Sequence, residues 1–293
     1  MRERNASSVS YVETVAGFTA GTVSTLCLHP LDLVKTRLQI DSISRSRVGG
    51  SIRLIRNVYK TEGGIAAFYR GLSPNIIGNS TSWAAYFLFY GNIKDFLRHE
   101  KGVDSEDGLG ASGYFLASGA AGVLTSILTN PVWVIKTRML STGSSAPGAY
   151  PSFIAGARQI LASEGLAGFY RGLVPSLFGV SHGAFQFMAY EKLKSHRLKT
   201  VRELGNLDFL FISGLSKIFA GCITYPYQVL RTRLQAYHAS LVYRGGVWDV
   251  MRQIWRQEGI TGFYKGLGPN LVRVLPSTWV TFLVYENTKG LLL

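Results

Sequence analysis

Two cations stand where this chain otherwise keeps charge out. Lys217 is the sole charged residue of Phe209–Leu230, and Arg273 is the sole charged residue of Gly266–Tyr285. An ionisable group in the middle of an apolar run is costly and usually faces a cavity or a partner. Both cations break a pattern found elsewhere in the chain. Gly21 and Gly122 occupy the positions equivalent to Lys217, and Gly78 and Gly179 those equivalent to Arg273. A phosphate or carboxylate is the natural partner of Arg273, whose planar guanidinium presents a fork of donors. Lys217 has a plainer alternative, as a snorkelling or internally paired lysine. Other chemistry is missing: there is no nucleophile beside a base, no metal-spaced His/Cys cluster and no phosphate-cradling loop. No catalytic residue, metal or resident cofactor is expected, and the chain does not read as an enzyme.

The equivalences come from a threefold repeat. PLDLVKTR (Pro30–Arg37) returns as PVWVIKTR (Pro131–Arg138) and PYQVLRTR (Pro226–Arg233), the prolines being 101 and 95 residues apart. A second phrase keeps step: FYRGLSPN from Phe68, FYRGLVPS from Phe169 and FYKGLGPN from Phe263, at intervals of 101 and 94. A fixed self-similar period dictates architecture before any other signal does. One unit of about 100 residues is used three times, over residues 10–100, 111–200 and 207–293.

Each repeat holds two stretches almost free of charge. They are Thr14–Leu31, Leu72–Ile93, Gly108–Ile135, Gly172–Tyr190, Phe209–Leu230 and Gly266–Tyr285. Each approaches the ~20 residues that a helix needs to cross a bilayer. The expected fold is all-α and multi-pass, with six transmembrane helices, two per repeat. The charged fraction of 16% lies below the ~25% usual for soluble proteins. The net charge of +14 then points to cations at helix ends and along an anion path rather than to nucleic acid. Cys27 and Cys222 fall inside predicted spans at non-equivalent positions, so free buried thiols are expected. The basic start, MRERNASS, is too short for a separable leader.

The proline phrase closes the first span of each repeat, and its proline should kink the helix there. Short amphipathic helices on the membrane surface are predicted at Ile52–Thr61, Phe153–Ala162 and Val247–Gln257. They stop at Glu62-Gly63, Glu164-Gly165 and Glu258-Gly259. Polar linkers, Arg98–Gly110 and Lys194–Asn206, join the repeats. Small residues four apart, Gly17 with Gly21 and Ser118 with Gly122, fit close helix packing in the first two repeats.

These phrases together resemble the mitochondrial carrier family over nearly the whole chain. That family carries Pro-x-acid-x-x-base-x-base at the end of each odd-numbered helix and a Gly-rich phrase ending in aromatic-base-Gly. Its further motif, aromatic-acid-x-x-base, is matched here from Tyr90 to Lys94, Tyr190 to Lys194 and Tyr285 to Lys289. The resemblance implies a pseudo-threefold six-helix barrel around a central cavity, working by alternating access in the mitochondrial inner membrane. One chain would suffice for transport. It also implies a gate at each mouth. The matrix gate would draw on Asp32, Lys35, Trp133, Lys136, Gln228 and Arg231. Two of its three acid positions are replaced, by Trp133 and Gln228, so one strong ion pair is expected, Asp32 with Lys136. Gln228 would hydrogen-bond and Trp133 would offer bulk and a π face, making this the weaker gate. The cytoplasmic gate would use Tyr90, Lys94, Tyr190, Glu191, Lys194, Tyr285, Glu286 and Lys289, with glycine at the first acid position, Gly91.

Resemblance further places substrate contacts at Gly78-Asn79, Gly179-Val180 and Arg273. Helical spacing adds Ser82, Tyr86, Gly183, Phe187, Ser277 and Thr281 to the same faces, with Lys217 and Trp133 beside them and His182 and Gln186 as secondary candidates. Two cations, small residues and nearby aromatics suit a large aromatic anion. Segments such as SHGAFQFMAYE (Ser181–Glu191) and LVRVLPSTWVTFLVYEN (Leu271–Asn287) are similar to the FAD/folate branch, its fungal FAD carriers above all. FAD is the implied cargo, with folate and NAD or another nucleotide as alternatives, and a non-transporting scaffold as the reading from another class. The triplets Tyr69-Arg70-Gly71, Tyr170-Arg171-Gly172 and Tyr264-Lys265-Gly266 open helices, whose free N–H groups attract phosphate. Resemblance makes them cardiolipin sites.

Overall fold

The computed structural model describes residues 2–41, 50–102, 109–143, 146–199, 201, 205–237, 239–243 and 245–292. Parts of both predicted linkers, 103–108 and 202–204, lie outside the described residues. The chain forms α1 (Arg2–Ile40), α2 (Gly50–Thr61), α3 (Leu72–Lys101), α4 (Gly110–Ser141), α5 (Phe153–Phe169), α6 (Leu173–Phe178), α7 (Ser181–Leu198), α8 (Asn206–Gln235), α9 (Ala239–Val242), α10 (Gly246–Glu258) and α11 (Leu267–Leu292). Short 3-10 turns, Gly64–Tyr69 and Ile260–Tyr264, precede α3 and α11.

The long helices form a closed ring. The last helix of each repeat lies along the first of the next: α3 on α4, α7 on α8, and α11 back on α1. Among the described residues two helices, Ser112–Ser141 and Leu207–Gln235, are long and apolar enough to cross a membrane by length and composition alone. Large apolar side chains such as Leu88, Phe115, Leu116 and Phe211 stay exposed, as lipid-facing positions should. Cys27, expected to be buried, is exposed on this outer face, and Cys222 is half-buried.

Tight packing concentrates at the end of the bundle that carries the prolines. Leu33 and Val34, Val134 and Ile135, and Val229 and Leu230 occupy equivalent positions three and four residues past each proline. Each pair is buried with an apolar residue of its surface helix: Val58 on α2, Ile160 on α5 and Ile254 on α10. The amphipathic helices predicted from sequence are thus what the odd-numbered spans pack against. Each odd-numbered helix runs through its proline without a break.

Glycines punctuate the return to the even spans. Gly63, Gly165 and Gly259 follow the three glutamates with φ of 105°, 67° and 67°, and Gly71, Gly172 and Gly266 open the next helices at 76°, 70° and 82°. A side chain at these φ values is strained, so each turn requires glycine. The fourth span departs from a single helix. It breaks between α6 and α7 at Gly179-Val180, where the backbone shifts to three-residue bonds, Gly179 N–H to the Ser176 carbonyl (2.9 Å) and Val180 N–H to Leu177 (3.1 Å). The small-residue expectation holds in the second repeat, where a Cβ on Gly122 would press on Val180 at 3.0 Å. It fails in the first: added carbons at Gly17 and Gly21 would meet nothing within 4 Å. Those two glycines line open space instead.

A set of ion pairs ties each odd span to its surface helix. Arg37, Arg138 and Arg233, the last bases of the proline phrases, each grip the carboxylate before the turn glycine, Glu62, Glu164 and Glu258 respectively, with two nitrogens. Arg171 adds a bond to Glu164 at 2.6 Å and Lys265 one to Glu258 at 2.8 Å. Burial alone would raise these carboxyls; the cations outweigh it and hold Glu164 and Glu258 below the ordinary 4.5. Their stabilisation is therefore complete above pH 4.5 and is lost as pH falls through the lowered values. Glu258→Ala leaves Arg233, 1% exposed, without its counter-charge and should cost about 3–5 kcal/mol. Glu62→Ala, at a more exposed pair, should cost less. Thermal melting of purified protein in detergent checks the ranking at pH 7, and a series taken downward from pH 4.5 checks that the cost of Glu258→Ala falls as pH passes through the lowered value.

Candidate functional site

Inside the ring, α1, α4 and α8 converge one turn beyond their prolines, and each seam is closed by a different bond. Asp32 Oδ2 lies 3.8 Å from Lys136 Nζ. Lys35 Nζ donates to Gln228 Oε1 at 3.0 Å. Arg231 stacks over the Trp133 ring at 5.6 Å from its centroid, and Lys136 reaches the same ring at 4.9 Å. An ion pair, a hydrogen bond and a cation–π contact thus take equivalent places. The sequence allows each of these, since the acid positions hold Asp32, Trp133 and Gln228.

One partner was not legible. Arg273, on α11, pairs directly with Asp32 Oδ1, so the two oxygens of one carboxylate face Arg273 and Lys136. Asn270, one turn before Arg273, accepts from Lys35 at 2.8 Å. The arginine expected to await an anion is already bonded into the ring.

Glycine at position 78 makes room for Trp133. A Cβ there would meet Val132 at 3.3 Å and the indole at 3.4 Å, and the indole N–H reaches Ser82 Oγ at 3.3 Å. Asn79 donates to Asn75 at 3.3 Å, and Asn75 bonds His29 Nδ1 at 3.1 Å. Tyr86 bonds Ser118 at 2.9 Å and stacks on Tyr90. His182 bonds Thr224 at 2.8 Å. Gly179 backs onto the Tyr227 ring, which a Cβ would meet at 3.3 Å.

Two adjoining cavities open from this centre. One, of about 580 Å³, runs down the axis between Tyr86, Val180, His182 and Tyr227 to the ring residues Lys35 and Arg231. The other, of about 660 Å³, lies between α1, α3 and α11, against Phe18, Gly21, Asn79, Trp83 and Ser277. They share four lining residues: Asp32, Trp133, Lys136 and Arg273. Lys217 and Phe187 are not among the residues lining either cavity, so the structure does not bring them to Arg273.

The far end of the bundle differs. Among the described residues neither Glu191 nor Glu286 forms an ion pair. Lys289 lies 5.7 Å from the Tyr285 ring, and Glu191 and Lys194 line a shallow surface depression. Tyr190 lies on α7 and Lys94 on α3. Among the described residues, the ion pair, the hydrogen bond and the cation–π contacts of the ring thus stand at the proline end, and no ion pair of Glu191 or Glu286 stands at the other.

Several structural residues escaped the sequence reading although the repeat could have shown them. The residue before each proline bonds the carbonyl of the base in the aromatic-base-Gly triplet. His29 Nε2 reaches Arg70 O at 3.0 Å, Asn130 donates to Arg171 O at 3.3 Å, and Tyr225 to Lys265 O at 3.0 Å. The triplet bases are engaged as well. Arg70 donates to Met139 O (2.8 Å) and Tyr150 O (3.2 Å) of the next repeat, and Lys265 to Asp41 O (2.6 Å). Gln39 accepts from Thr232 at 2.8 Å, and Gln235 accepts from Thr137 at 3.1 Å.

A family model described as mitochondrial carrier protein matches residues 7–101, 108–200 and 203–293. The mitochondrial FAD carrier protein FLX1 of Saccharomyces cerevisiae is 39% identical over 94% of this chain and 96% of its own length. The mitochondrial nicotinamide adenine dinucleotide transporter 2 of Arabidopsis thaliana is 40% identical over 92% of this chain and 77% of its own. Folate transporter 1, chloroplastic, of the same plant is 36% identical over 98% and 97%.

Double-mutant cycles rank the ring bonds. The Asp32→Asn/Lys136→Gln cycle should give a coupling of about 1–3 kcal/mol, and the Lys35→Met/Gln228→Leu cycle about 0.5–1.5 kcal/mol. Thermal melting of the four proteins in each cycle measures both.

Proposed function

The chain belongs to the mitochondrial carrier family, and on that premise we propose that it carries FAD between cytosol and matrix across the mitochondrial inner membrane. The observation that carries this reading is the cationic centre of the cavity. Arg273, Lys136, Lys35 and Arg231 line the two cavities together with one carboxylate, Asp32, and the walls include Tyr86, Trp83, Trp133 and Tyr227. A large aromatic anion meets both needs there: phosphate for the surplus of positive charge, rings for the aromatic walls. The relative named as an FAD carrier supports flavin. A relative named as an NAD transporter, at similar identity, supports NAD as the second reading.

Alternating access follows from the two ends. On this reading the ring of Asp32, Lys35, Trp133, Lys136, Gln228 and Arg231 acts as one gate. The Tyr90–Lys94, Tyr190–Lys194 and Tyr285–Lys289 phrases form the gate that closes when the ring opens. Bringing Glu191 and Glu286 to lysines of neighbouring repeats would supply two ion pairs there. An anion arriving at Arg273 competes with Asp32 for the guanidinium, which loosens the bonds that hold the ring shut. Lipid phosphate has a place at the starts of the even-numbered spans. Because Arg70, Arg171 and Lys265 are held by protein groups, cardiolipin would be met there by the backbone N–H groups after Gly71, Gly172 and Gly266.

Proteoliposomes containing purified protein and cardiolipin should take up labelled FAD saturably. Arg273→Ala should cut uptake roughly ten- to hundred-fold, the equivalent of about 1.5–3 kcal/mol for a charge-assisted contact, and Arg273→Lys should restore part of it. Uptake of NAD or a reduced folate with none of FAD would move the cargo. No uptake of any of the three by folded protein would sink the carrier reading.

A further inference from the structure

The cavity's division in two carries information about the shape of what it holds. The axial and lateral lobes, about 580 and 660 Å³, are each of the size that takes one drug-sized group. Each has its own aromatic wall, Tyr86 and Tyr227 in the axial lobe and Phe18 and Trp83 in the lateral one. What they share is the charged element. Arg273 and Lys136 belong to both linings, as does Trp133, with Asp32 as the one acid among the described residues that line either lobe. Lys35 and Arg231 add two more cations on the axial side. Positive charge therefore lies where the lobes meet, and ring-binding surface lies away from that point in two directions.

We infer that the cargo is a two-headed anion, a dinucleotide whose bridging pyrophosphate sits at Arg273 and Lys136 while its two ring-bearing ends occupy separate lobes. This deepens the carrier reading above and rests on it. Arg273, Lys136, Lys35 and Arg231 against the single acid Asp32 leave a surplus of positive charge that can meet the two negative charges of a pyrophosphate. A fork of guanidinium donors and a lysine beside it suit adjacent phosphate oxygens. A folate fits this division less well. Its carboxylates lie at one end of the molecule, so with those at the shared cations its ring system fills one lobe and leaves the other without a group. NAD and FAD share the bridging pyrophosphate, and the arrangement predicts that both bind through it.

Two variants separate the lobes. Gly21 lines the lateral lobe and Gly183 the axial one, and a Cβ at either would meet nothing within 4 Å. Gly21→Leu and Gly183→Leu therefore narrow one lobe each without a clash at the first added carbon, and thermal melting reports whether they fold. In proteoliposomes, inhibition of labelled uptake by external FAD, NAD, FMN, AMP and a reduced folate is compared. FAD and NAD should inhibit at concentrations at least about tenfold below those of FMN or AMP, since neither mononucleotide spans both lobes. Gly21→Leu should weaken the dinucleotides and one mononucleotide while sparing the other, and Gly183→Leu should show the reverse pattern. FMN or AMP matching FAD in the unaltered protein overturns the inference while leaving FAD transport standing, whatever the variants do. Both variants weakening both mononucleotides alike overturns it too, as the mark of one undivided site. NAD uptake with the two-lobe pattern but no FAD uptake retains the inference and removes flavin as cargo. Uptake of the reduced folate alone removes both.

Discussion

A single carboxylate holds the centre of this molecule together. Asp32 offers one oxygen to Arg273 and the other to Lys136, with Lys35 and Arg231 close by in the same ring. Four cations gathered away from bulk water repel one another, and the low local dielectric strengthens both that repulsion and their attraction for a negative charge. One acid is too few to balance them. The cavity is therefore held closed at the proline end by an arrangement that an anion can outbid. On the proposed carrier reading, the groups that seal the ring are the ones an anionic cargo meets.

The threefold scaffold makes such an asymmetric centre possible. The structural bonds repeat faithfully: three arginine–glutamate clamps, three apolar contacts between odd spans and surface helices, and three links from the residue before proline to the next backbone. Against that background the ring differs at each seam. Replacing two acids by Trp133 and Gln228 removes carboxylates that would neutralise the cations, and so leaves the cavity basic. Trp133 does more than fill space. Its face carries Arg231 and Lys136, its N–H reaches Ser82, and its bulk stands at the meeting of the two lobes, in room that Gly78 leaves. The substitution weakens the ring and shapes the site together.

Much of this was legible in the sequence because repetition was the signal. The three repeats, the surface helices and their glycine stops follow from phrases recurring in register, and the Asp32–Lys136 pair follows from the family resemblance those phrases carry. What escaped were contacts between phrases. The glutamates at 62, 164 and 258 read as helix ends, although their threefold recurrence, 25 to 26 residues after Arg37, Arg138 and Arg233, could have marked them as partners. Arg273 stood out as a cation, but its partner lies 241 residues away and no repeat phrase predicts it. The break at Gly179-Val180 was hidden because a glycine inside a helical pattern is often tolerated. Gly17 and Gly21 misled, since small residues four apart suit helix packing and cavity lining equally. Lys217 drew notice for the same reason as Arg273, yet stands outside both lobes.

The most direct test concerns the ring itself. Thr36 lines the axial cavity at the level of the ring residues. In a Thr36→Cys protein whose Cys27 and Cys222 are replaced by serine, an impermeant thiol reagent is applied from the proline side of the membrane, with and without FAD. The account predicts slow labelling without cargo and several-fold faster labelling with it, because an anion at Arg273 draws that guanidinium away from Asp32 and frees the ring to open. Labelling at the same rate in both conditions, in protein that binds FAD, would contradict the claim that cargo and ring compete for the same charges.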